Sequence, residues 1–208
     1  MSDAEHDAAA FTPLTHLLYL HGFRSSPQST KARKMADWVA TQRPDLVWWC
    51  PQLPAAPADA IDRVTASIDH WPRAGTAVIG SSLGGFYATV LAERLGCRAV
   101  LLNPAVDPAR DLARSIGTTT AWHSDDPFVF REEDVAALRA IAPPAHLTSL
   151  DRYFAVIAKG DELLSWREMT ARYAGCRVRL IEGSDHALGD FDAHLPAVLD
   201  FLGLGDAP

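Results

Sequence analysis

The chain predicts a doubly wound α/β fold, with a six-stranded parallel sheet covered by helices on both faces. Three observations carry this. Short, continuously apolar runs recur along the sequence, and most are followed by a segment of helical length. Strands that are apolar throughout, rather than alternating, are buried on both sides, which is the mark of a parallel sheet. Third, Gly80-Ser81-Ser82-Leu83-Gly84 falls where the run Ala77-Val78-Ile79 meets a helix-like stretch, as a sharp strand-to-helix turn requires.

The elements follow in order. Leu17-Leu18-Tyr19-Leu20 is a buried strand ending at His21-Gly22, and the polar loop after it leads to a helix over about 31–41. Leu46-Val47-Trp48-Trp49 is a second strand, stopped by Pro51. A proline-rich stretch precedes a helix near 60–70, where Ile61, Val64 and Ile68 share one face. Ala77-Val78-Ile79 is the third strand, and the helix over 83–95 is closed by Gly96. Ala99-Val100-Leu101-Leu102 is the fourth strand, 153–158 the fifth and 178–181 the sixth, with helices near 165–173 and 191–202. Right-handed crossovers that run first one way and then the other give the order 2-1-3-4-5-6, with Ser82 near the switch point.

One connection breaks the rhythm. Nearly all of 104–150 intervenes between the fourth and fifth strands, with helices expected near 108–115 and 131–141. An insertion leaving the carboxyl end of a parallel strand lies over the crevice where such sheets bind ligands. It reads as a small helical cap, whose Trp122, Phe128 and Phe130 would form an apolar underside facing the crevice.

Bulk properties narrow the function. With 48% hydrophobic and 22% charged residues, the 208-residue chain has the composition of a soluble globular protein. A formal charge of −7 argues against a nucleic-acid surface, and no apolar stretch is long enough for a membrane-spanning helix. The acidic start, residues 1–13, reads as a disordered tail rather than a secretory signal, with one domain over 14–208. Cys50, Cys97 and Cys176 are odd in number and form no CxxC pair, as expected of a cytoplasmic protein without a metal site or disulfide. Neither GxGxxG nor GxxxxGK[ST] nor HExxH occurs, so no cofactor or metal is expected.

The chemistry concentrates at strand ends. A serine flanked by glycines two residues away on each side forms a nucleophile elbow, and only Ser82 fits the frame, because residue 79 is Ile. A free hydroxyl is a poor nucleophile; it needs a histidine base and a carboxylate that fixes the base's tautomer. Asp161 follows the fifth strand and His186 the sixth, giving the order serine, acid, histidine. Asp161 could instead cap the next helix, with Glu162 the nearest substitute acid and Glu182 a weaker one. His6, His16, His70, His123, His146 and His194 are less well placed, and Asp185 reads as a turn residue. Oxyanion donors would be the backbone N–H groups of Leu83 and of Phe23, which follows Gly22. Arg24, Lys31, Arg33 and Lys34 read as a solvated face that would attract an anionic substrate only if it faced the crevice.

Taken with the segments LYLHGFRSSPQSTKA, GSSLGGFYAT, LLNPAV, KGDELL, IEGSDHA and VLDFLGL, these residues make the chain resemble the YqiA-type esterases, small capped members of the α/β-hydrolase superfamily. The resemblance spans about 17–204. It implies an α/β-hydrolase fold and a serine hydrolase active on acyl esters, with Ser82, Asp161 and His186 matching the family's triad; the expected reaction is hydrolysis of a carboxylic ester or thioester of a short to medium acyl group. Ser184 stands where relatives tend to have Gly, and the 104–150 segment matches least well. The competing expectation is a catalytically silent hydrolase-fold protein that binds a ligand without turnover.

Overall fold

The structure is a computed structural model that describes residues 12–122 and 127–205. Most of the expected tail, residues 1–11, lies outside them, as does His123. Strands β1 (His16–Leu20), β2 (Val47–Trp49), β3 (Thr76–Ser81), β4 (Arg98–Leu102), β7 (Tyr153–Ala158) and β8 (Arg177–Ile181) form one parallel sheet. Its helices are α1 (Thr30–Gln42), α2 (Pro57–Ile68), α3 (Leu83–Leu95), α6 (Trp166–Arg172) and α7 (Leu195–Leu202). Alternation along the strands builds a core on each face. Leu18 and Leu20 of β1 join the apolar side chains of α2 and α3, whereas Leu17 and Tyr19 join those of α1 and α7.

The sheet order is β2-β1-β3-β4-β7-β8 rather than 2-1-3-4-5-6, because two strands of the insertion, β5 and β6, precede the segments expected as fifth and sixth, and the cap is not purely helical. Between β4 and β7 the chain forms α4 (Pro108–Leu112), an antiparallel hairpin of β5 (Gly117–Thr120) and β6 (Pro127–Phe130), and α5 (Glu132–Ala140). Gly-Thr-Thr-Thr carries no apolar alternation, and β5 is mostly exposed, so its strand character comes from pairing with β6 rather than from a buried face. The last helix also starts later than expected. A 3-10 turn covers Phe191–Ala193, and the helix begins at Leu195, with Pro196 in its first turn where a missing N–H costs nothing.

Helix α3 runs through the middle of the molecule, with every residue from Leu83 to Ala92 buried. Its approach to β1 is set by backbone contact. A Cβ on residue 84 would lie 2.0 Å from the Leu20 carbonyl oxygen, and one on residue 80 would lie 2.1 Å from the Gly84 oxygen. Both partners are backbone, so neither can rotate away. Overpacking of this kind costs about 1–3 kcal/mol even where side chains can adjust. Gly84→Ala is therefore expected to lower the unfolding free energy by at least about 3 kcal/mol, read by urea denaturation, while Gly189→Ala, where a Cβ meets nothing closer than 3.7 Å, stays close to wild type.

Candidate active site

Ser82 sits between β3 and α3 with φ 56° and ψ −120°, a conformation that L residues rarely adopt. The turn is tied on both sides: its N–H donates to Leu102 O at 3.0 Å, and its carbonyl accepts from Gly85 and Ala105. The strained backbone turns the side chain toward the carboxyl edge of the sheet, where β1, β3, β4, β7 and β8 all end.

Three groups predicted from strand ends meet there. His186 Nε2 is 3.0 Å from Ser82 Oγ, and its Nδ1 is 2.8 Å from Asp161 Oδ2. The Asp161 side chain is fully buried, and its other oxygen accepts from the Leu163 and Leu164 amides at 2.9 and 2.8 Å. One carboxylate thus both stops the chain after β7 and holds the imidazole. With Nδ1–H donating to Asp161, the Nε2 lone pair is directed at the hydroxyl.

The alternatives are occupied elsewhere. Glu162 Oε2 accepts from the His186 backbone N–H at 3.0 Å and so fixes the loop rather than the ring. Glu182 pairs with Lys159 on the surface. His194 pairs with Asp190 at 3.0 Å, and His16 packs on Trp71. Asp185 closes its turn by accepting from Gly189 N at 2.9 Å.

The loop after β1 comes up against the serine. A Cβ on Gly22 would stand 3.2 Å from Ser82 Cβ, so only glycine lets this backbone approach without displacing Ser82. Among the described residues, the N–H groups of Phe23 and Leu83 donate to no protein acceptor. His21 braces the loop: its Nε2 accepts from Leu53 N at 3.0 Å, which leaves Nδ1–H to donate to Gly22 O at 3.0 Å.

A cleft of about 510 Å³ opens over Ser82 and His186, walled by Phe23, Leu112, Trp122 and Leu164. Only Trp122 of the three insertion aromatics faces it. Phe128 and Phe130 pack edge-on against Phe23 instead, with ring centroids 4.9 and 5.2 Å away. They therefore brace the residue bearing one candidate oxyanion donor and do not form the expected apolar underside facing the crevice.

Two contributors were not picked out from the sequence. Asn103, fully buried just past β4, donates to the carbonyls of Asp185 and His186 at 3.0 and 3.2 Å, and accepts from Ala158 N at 2.8 Å. It joins the loop carrying His186 to the end of β7. Asparagine tolerates the positive φ of 43° found here, and that residue type directly after a strand was the signal the sequence carried. Lys31, expected on a solvated face, is 9% exposed and donates to Ala187 O beside His186.

The chain belongs to a known family. Residues 16–203 match the model of the uncharacterised protein family UPF0227, the family of the YqiA-type esterases that the motifs resemble. Solved structures with similar folds include those of hydrolytic proteins. A protein from Agrobacterium vitis S4 assigned to the hydrolases shares 18% identity over 91% of this chain and 88% of its own, with a TM-score of 0.72. A structure described for LipS and LipT, two metagenome-derived lipolytic enzymes, shares 18% identity over 92% of this chain and 94% of its own, at 0.66. Est1E from Butyrivibrio proteoclasticus shares 14% over 91% and 87%, also at 0.66. At these identities the likeness establishes the α/β-hydrolase-like fold.

Burial pushes the Lys31 ammonium down from 10.5 to about 8, against the opposing pull of Asp185 and Asp161. Between those values the unfolded chain binds the extra proton, so this residue's contribution to stability rises with pH. Below about 8 the burial penalty is fully present. Buried Cys97, whose thiol is pushed up to about 12, pulls the other way, so the measurement must be a difference. The unfolding free energy of wild type minus that of Lys31→Met should increase from pH 8 to 10.5. A flat difference would mean that Lys31 titrates as a free lysine.

Proposed function

We propose that this protein is a serine hydrolase that cleaves carboxylic esters or thioesters of short to medium acyl groups through an acyl-enzyme. The observation that carries the reading is the relay from Asp161 through His186 to Ser82, with links of 2.8 and 3.0 Å. Hydrogen-bond geometry of this kind is what activates a serine that would otherwise stay protonated.

His186 Nε2 takes the Ser82 proton as Oγ attacks the acyl carbonyl. The negative charge that develops on the carbonyl oxygen falls to the Phe23 and Leu83 amides, while Asp161 stabilises the imidazolium without taking its proton. Collapse of the tetrahedral intermediate expels the alcohol or thiol, which receives the proton from His186. Water then enters, His186 deprotonates it, and the second intermediate releases the acid and restores Ser82. The cleft volume lies within the range of small-molecule sites, and Leu112, Leu163, Leu164 and Trp122 offer an acyl group an apolar wall. Three unpaired cysteines suit a reducing compartment such as the cytoplasm.

A fluorophosphonate probe should label wild type stoichiometrically and leave folded Ser82→Ala unlabelled. Asp161→Asn should lower kcat about ten-thousandfold by favouring the wrong imidazole tautomer, and Glu162→Gln should do far less. Folded wild type that takes no label would instead be a silent ligand-binding protein. A crippling Glu162→Gln beside a mild Asp161→Asn would reassign the acid.

A further inference from the structure

The four cations that cluster early in the sequence are separated by the fold. Arg33 is exposed outside the cleft lining, and Lys34 pairs with Asp192 at 2.5 Å. Arg24 and Lys31 line the cleft beside Ser82, and Arg114 joins them from the insertion. The one acid of the lining, Asp111, is held by Arg110 Nε at 2.8 Å. Among the described residues none of the three lining cations forms an ion pair with a carboxylate. This cationic lining belongs to a protein with a formal charge of −7.

Arg24 is the best organised of the three. Its φ of 59° is a conformation that L side chains rarely adopt, and it persists because the surroundings impose it. Its carbonyl accepts from Trp122 N at 2.8 Å, its Nε donates to Thr120 O at 2.7 Å, and its guanidinium lies 4.4 Å from the Trp122 ring centre. These restraints fix the plane of the guanidinium while using only one of its five N–H donors. The terminal amino groups have no acceptor among the described residues. A fixed fork of this kind matches the paired oxygens of a carboxylate or phosphate. It also follows Phe23 directly in the chain, so the charge it would hold stands close to the reacting carbonyl. Lys31 lies deeper, with Ala187 O as its acceptor and with the charges of Asp185 and Asp161 acting on it. A bound anion would favour its charged form.

We propose that the ester taken by this cleft carries a carboxylate or phosphate, gripped by the terminal amino groups of Arg24 with Arg114 and Lys31 beside it. The proposal rests on the hydrolase reading for the reaction and on the cationic lining for the charge.

The test compares the para-nitrophenyl half-ester of glutaric acid with para-nitrophenyl pentanoate, similar in length but uncharged. A butyryl ester of glycerol phosphate against butyryl glycerol repeats the comparison with a phosphate. A charge-assisted contact should favour the charged member by about tenfold or more in kcat/KM, and added salt should shrink the preference. Whichever pair shows the larger preference distinguishes carboxylate from phosphate. Arg24→Asn, a residue that tolerates the left-handed backbone, and Arg114→Gln should each cut the charged-to-uncharged ratio by at least about threefold. Equal rates within both pairs, or a ratio unmoved in both variants, would overturn the proposal. Calorimetric binding of the same esters to Ser82→Ala makes the comparison without turnover. Selective binding without wild-type hydrolysis would keep the anion site and overturn the hydrolase reading; hydrolysis without selectivity would do the reverse.

Discussion

The arrangement depends on one contact between two stretches of backbone. Where α3 leaves β3, its first turn lies against the end of β1 so closely that residue 84 has no room for a side-chain carbon. That approach lets the chain reverse at Ser82 in a strained conformation, because the tightly packed turn leaves it no relaxed alternative. It also brings the β1 loop, with the Phe23 amide, to the same point as the first amides of α3. Ser82 and the candidate oxyanion donors are thus placed by the same packing event. Their relative position belongs to the core of the fold and does not depend on flexible side chains.

The histidine has no comparable backing from the core, since it stands in a loop beyond the sheet's edge strand, β8. Its support is polar. Asn103 holds two carbonyls of the loop, Glu162 holds the His186 N–H, and Lys31 holds the next carbonyl. Asn103 and Lys31 are buried, where a polar group is costly unless paired, and each has a partner in the loop. The loop itself has positive φ at Gly183, Ser184 and Leu188, so it is a shape the chain keeps only while those bonds hold it. Ser184, at φ 58°, accounts for the glycine expected there in relatives; in this chain its hydroxyl donates to Asp190, giving the position another use.

Much of this was legible because parallel sheets gather strand ends. Once Ser82, Asp161 and His186 were each assigned to the carboxyl end of a strand, their convergence followed from topology, without knowledge of any distance. Features that arise only in three dimensions were not legible. The β5–β6 hairpin pairs two short segments that carry no periodicity of their own. Phe128 and Phe130 looked like a ligand wall because composition cannot tell a ring facing a cavity from one packed on Phe23. Lys31 looked solvated because it lies among other cations, yet helix α1 turns it inward while Lys34 reaches outward to Asp192. In each case sequence supplied the residue type and tertiary packing decided its partner.

The central claim is that Ser82 carries the acyl group during turnover. Wild-type protein mixed with an activated ester, quenched in acid within the first turnover and digested, can be read by mass spectrometry. The account predicts an increment equal to the acyl group on the peptide containing Ser82, absent from Ser82→Ala. Rapid hydrolysis with no acylated peptide, or acylation retained in Ser82→Ala, would contradict it.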